Sequence, residues 1–129
     1  AIASYHRVLA ERGARVVSIM PDRQEFLEDI RDETGGTLDI LTDIDNGYAL
    51  SLGLVMWLGE SVKALMQGRG YHLDAYQGSD GWFVPVPATF VVGRNQRVVA
   101  RFVDPDFRKR MDVDDILAAL NLAESPNDR

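Results

Sequence analysis

Asp43-Ile44-Asp45-Asn46-Gly47 sets two carboxylates and a carboxamide ahead of a glycine, a grouping that resembles the start of a calcium loop. The register is wrong for one. Such a loop wants glycine at its sixth position and glutamate at its twelfth. Counted from Asp43, the glycine falls fifth and the twelfth residue is Leu54. Helix capping is the better reading, because acids at a helix N-terminus complement its dipole. Asp112, Asp114 and Asp115 take the same reading. His6 and His72 stand 66 residues apart with no ligand spacing around either. His6 is expected on the solvent side of a helix; His72 lies in a long loop, from which it could approach a site. Arg108-Lys109-Arg110 sits between acids in DPDFRKRMD and reads as a solvated turn rather than a phosphate site. Cysteine is absent, which excludes disulfides, thiolate metal ligands and thiol catalysis by these residues. No metal or cofactor is expected.

The stretch Trp82 to Val92, WFVPVPATFVV, raises a different question. Its second half is a strand by composition. Its first half carries prolines at 85 and 87, which a ladder tolerates only at strand starts, edges and bulges. Read from the residues alone, two trans prolines that begin an edge strand suffice. Tyr71, Tyr76 and Trp82 precede them on a glycine-rich segment. Two readings of these rings stand side by side: a small satellite core over the sheet end, or, for Trp82 with Phe83, the wall of a binding groove.

Elements must position all of these. Ile2, Tyr5, Val8 and Leu9 recur at helical spacing, and Gly13 is placed to end that helix. Arg15 to Met20 reads as a strand, and a helix with Phe26, Leu27 and Ile30 as its stripe starts after Pro21-Asp22 and stops at Gly35-Gly36. Leu38 to Leu41 is a second short strand. Asp43 to Leu52 and Trp57 to Gln67 read as helices, the second with Val62, Leu65 and Met66 facing inward. From Gly68 to Val84 no period survives, so a long loop is expected. Ala88 to Val92 and Arg97 to Val103 form a hairpin about the turn at Gly93 to Gln96. Asp112 caps a last helix with Val113, Ile116, Leu117 and Leu120 inward, and the tail ESPNDR is polar. Alternating helices and strands imply an α/β layered fold.

The totals bound the class. The chain of 129 residues suits one domain with a real core. A net charge of −6 argues against nucleic acid as a partner. No apolar run approaches the ~20 residues of a membrane span, and no signal peptide is visible, so a cytoplasmic location is expected.

Four stretches in order carry a resemblance. They are GARVVSIM (13–20), Leu41-Thr42-Asp43 with YALSLGL (48–54), VPVPATFVV (84–92), and FVDPD (102–106) with ILAAL (116–120). Together they make the chain similar to the alkyl hydroperoxide reductase and thiol-specific antioxidant family, the peroxiredoxin-like branch of thioredoxin-like proteins. The resemblance spans most of residues 1–121, taken as the domain, with 122–129 as a tail. It implies a thioredoxin-like mixed sheet flanked by helices. It implies a thiol-dependent oxidoreductase or peroxidase acting on a peroxide or on a protein or small-molecule disulfide. The family's reactive cysteine lies at the N-terminus of its first helix. That helix is already under way at Ala1, so the resemblance implies that the cysteine and the preceding strand or strands lie outside this chain. Pro87 matches the family's cis-proline, which implies a cis Val86–Pro87 bond. Val86 would then offer backbone groups to an extended substrate, Thr89 would add polarity, and Trp82 would line the groove. Typical peroxiredoxins carry arginine near the Pro87 position, so proline there points toward dithiol exchange. A cysteine-free module of this fold that binds or scaffolds is the alternative. A sheet lacking a strand also exposes an apolar edge, from which a homodimer is expected.

Overall fold

The computed structural model describes residues 2–33, 35 and 38–123. The expected stop at Gly36 and the tail from Glu124 lie outside them. The chain is α/β. In order it forms α1 (Ile2–Glu11), β1 (Val17–Met20), α2 (Gln24–Glu33), β2 (Asp39–Thr42), a 3-10 turn (Ile44–Asn46), α3 (Gly47–Ser51), β3 (Val55–Trp57), α4 (Gly59–Gly68), α5 (Leu73–Gln77), β4 (Phe83–Pro85), β5 (Ala88–Val92), β6 (Val98–Val103) and α6 (Val113–Ala123). α6 therefore runs past residue 121.

These elements gather into two compact units, Ala1–Val16 with Val86–Arg129, and Val17–Pro85. In the first, β5 and β6 pair antiparallel, Ala88 opposite Val103 and Phe90 opposite Arg101, with an irregularity at Val91/Val92. Leu9, Val91, Ile116 and Ala119 form its buried core, with Val16, Val99, Leu117 and Leu120 packed around them. Each fully buried aliphatic chain of this size contributes roughly 1.5–3 kcal/mol. α1 ends as its sequence predicts. Gly13 N–H donates to Ala10 C=O at 2.9 Å and Ala14 N–H to Leu9 C=O at 3.0 Å, with Gly13 at φ +73°. That is a Schellman stop, which wants a residue without Cβ. Of its expected stripe, Leu9 is buried, while Tyr5 and Val8 are exposed.

In the second unit, α2 joins the parallel pair β1 and β2, Val17 opposite Asp39 and Met20 opposite Thr42. Leu27 is buried, and Phe26 and Ile30 are half-buried, as the helical period requires. β3 and β4 add an antiparallel hairpin, Val55 opposite Pro85 and Trp57 opposite Phe83. This corrects the expected loop over 68–84 and the helix expected from Trp57. α4 starts two residues later, and its Val62 and Leu65 are exposed. A single mixed sheet is also not found. The strands make three two-stranded sheets, because the described residues include no ladder that joins one pair to another.

Candidate functional site

The proline run answers its question through connectivity. Pro85 closes β4 opposite Val55, and Val86 begins the stretch that leads into β5. The prolines thus sit at a strand end and in the connector between two units, where a missing N–H costs nothing. No cis peptide bond occurs among the described residues, so the expected cis Val86–Pro87 bond is corrected to trans. Pro87 C=O accepts from Asp104 N–H at 3.2 Å, extending the β5–β6 ladder by one pair. Held as part of that ladder, the carbonyl is not offered to a substrate. Val86, Pro87 and Thr89 are half-buried, and Thr89 stands opposite Phe102.

Trp82 takes the core reading. Its ring is 2% exposed, which leaves no surface to wall a groove. Leu58 N–H donates to its carbonyl at 3.2 Å, and the Lys63 ammonium lies 5.9 Å from its ring centre. Tyr71 and Tyr76 are exposed. Tyr76 packs edge-on against Phe26 with ring centres 4.8 Å apart, and its carbonyl accepts from Arg23 N–H at 2.8 Å. Arg23 pairs with Glu25 and leans against Gly78, where a Cβ would stand 2.9 Å from its Cδ. α5 is thereby anchored to the start of α2.

The Asp43 segment works as a cap. Both carboxylate oxygens accept from the start of α3, Oδ1 from Tyr48 N–H at 2.8 Å and Oδ2 from Ala49 N–H at 2.9 Å. Asn46, 5% exposed, donates from Nδ2 to Phe83 C=O at 3.3 Å, and its Oδ1 has no partner. An open depression of about 480 Å³ lies beside this turn, lined by Asp45, Asp74, Gly78, Ser79 and Asp80. Sequence reasoning missed it, because the anchoring of α5 gathers residues some thirty positions apart. It holds carboxylates and one hydroxyl, with no paired base to activate that hydroxyl. Among the described residues no group of three or more His, Cys, Asp or Glu is arranged to hold a metal ion.

The remaining candidates are local. His6 is half-buried and His72 is exposed at the start of α5. Arg108 forks onto Asp106 at 2.8 and 2.9 Å, and Lys109 lies 3.7 Å from Asp104, so this turn neutralises itself. The guanidinium holds the Asp106 carboxyl below its usual value. Asp112 Oδ1 accepts from Asp114 N–H at 2.8 Å and caps α6 as expected. Burial pushes the Asp22 carboxyl up, against a smaller opposing effect of its own backbone N–H. No helix among the described residues is long and apolar enough to cross a membrane.

A scan against protein-family models finds no match to this chain, and a search of curated proteins finds none.

Proposed function

We propose that these residues are the body of a thioredoxin-like thiol oxidoreductase or peroxidase whose nucleophilic cysteine they do not themselves supply. One observation carries this reading. A β-hairpin entered from Pro87 and closed by α6 shares one core with α1, through Leu9, Val91, Ile116 and Ala119. That is the closing block the resemblance calls for, packed on the helix that would follow the cysteine. The right order of a parallel β1–α2–β2 unit between them adds support. In the reaction a thiolate attacks a disulfide sulfur, breaking that S–S bond to give a mixed disulfide and release the other half as a thiolate, or it attacks a peroxide oxygen, breaking the O–O bond to give a sulfenic acid and an alcohol or water. The part of this chain is to carry the helix and the sheet beside that thiolate. With Val86–Pro87 trans, no substrate-binding role is assigned to Pro87.

A second reading is favoured by two observations, the trans bond and the lack of any cysteine. It is a redox-inactive module of the same fold that binds or scaffolds, or that pairs with a second copy through an open sheet edge. Intact mass, thiol titration and peroxide consumption of the protein from its natural source separate the two. A larger mass with a titratable thiol and peroxide or disulfide turnover is the expected result. A mass of 14.4 kDa with no thiol removes the enzymatic reading.

A further inference from the structure

Trp82 combines two opposing features. Its ring is wholly buried, one of the two largest side chains in that state. Its backbone stands at φ +54°, a left-handed conformation that is costly for a bulky L-residue. Burial of the indole holds it there, and the hydrogen bonds beside it are light. Leu58 N–H reaches the Trp82 carbonyl at 3.2 Å, Asn46 Nδ2 reaches the Phe83 carbonyl at 3.3 Å, and Gly81 N–H reaches Ser79 Oγ at 3.4 Å. All three lie at or beyond the long end of the hydrogen-bond range. β4 adds only three residue pairs. Gly78, at φ +71°, and Gly81 supply rotation on the N-terminal side. The other half of the contact is incompletely satisfied. Asn46 adopts the left-handed backbone that asparagine tolerates, but its enclosed Oδ1 has no partner.

We propose that residues 78–83 form a strap, with Trp82 as its plug and Asn46 as its latch, which opens by local unfolding while the rest of its unit stays folded. Opening relaxes the left-handed Trp82 and returns the orphaned Asn46 oxygen to water. It exposes an indole and the hole that the indole filled. Closing buries both. Backbone strain persists only where the surroundings over-determine it, and local opening relieves it where they do not. Here the light ties and the strained Trp82 coincide.

The test uses a Trp57→Phe background, since the chain has two tryptophans and Trp57 is exposed. Asn46→Asp then keeps the shape of the side chain and a residue type that tolerates the left-handed backbone, and it replaces only the Nδ2 donor to Phe83 C=O by an oxygen that the closed strap leaves without water. Acrylamide quenching of Trp82 and amide exchange at Leu58 are both expected to rise about fivefold, the loss of one hydrogen bond, with exchange in α2 unchanged. Leu58→Pro gives an independent variant. Leu58 already stands at φ −73°, so proline fits, and only the N–H to Trp82 is lost from the backbone. It is expected to raise quenching likewise. Quenching that stays flat in both variants, or that rises only in step with exchange in α2, overturns the strap.

Discussion

Two aspartates one strand apart show how little residue type says without its surroundings. Asp43 spends both carboxylate oxygens on the first N–H groups of α3. Asp22, at the end of β1, has lost part of its water instead, and its pKa is raised. A carboxyl whose pKa is higher folded than unfolded favours the folded state most when protonated. Its contribution is therefore complete below the unfolded value, near 3.9, and is lost as pH rises through the folded value. Asp22→Asn keeps the shape and removes the charge. Thermal unfolding of this variant is expected to show a gain over the parent at pH 7 that disappears below about pH 3.9. A Tm difference that is the same at both pH values would contradict the burial of that carboxyl.

At the scale of elements, ends are defined more sharply than middles. Gly13 closes α1 in a left-handed stop, and the same pair of hydrogen bonds closes α3 at Gly53 and α4 at Gly70. A Cβ on Gly13 would meet nothing nearer than Arg94 Nη2 at 3.9 Å, so space is not at issue. Conformation is. Gly13→Ala is expected to destabilise the protein by about 1 kcal/mol in urea unfolding, the intrinsic cost of a left-handed L-residue. No change would mean that the stop rearranges at no cost. Helix ends were legible because glycine, aspartate and proline act locally. The β3–β4 hairpin was not. Val55 to Trp57 and Phe83 to Pro85 are three residues each, too short to show a period of two, and a proline argues against the second. They become strands only because each pairs with the other across about 25 residues.

Among the described residues, β1 and β5 each pair with one strand only. In β5, Pro87 turns its carbonyl to β6, so alternation points the backbone groups of Ala88 and Phe90 away. In β1, the Met20 carbonyl accepts from Asp43 N–H at 2.7 Å, so Val17 and Ile19 point theirs outward. The described residues include no third strand on either pair. Phe90, Val17 and Ile19 are also 40%, 43% and 44% exposed. Neither strand carries a charge on its edge, and a two-stranded sheet is marginal alone. Light scattering across a concentration series is expected to show reversible association, weakened by Phe90→Lys. A monodisperse monomer at high concentration would contradict it.

Read alone, the residues determined what depends on near neighbours in the chain. The helices α1, α2, α3 and α6, the Asp43 and Asp112 caps, the Gly13 stop and the β5–β6 hairpin all follow from contacts within a few positions, or across one short turn. Tertiary structure decided whatever depends on partners far away in sequence. It put Trp82 in a core rather than a groove, because burial is a property of the space around a side chain. It took the Pro87 carbonyl into the β5–β6 ladder, through the N–H of Asp104 seventeen positions on. It left β1 and β5 in separate sheets, because pairing needs a neighbouring strand in register, and no local pattern can supply one.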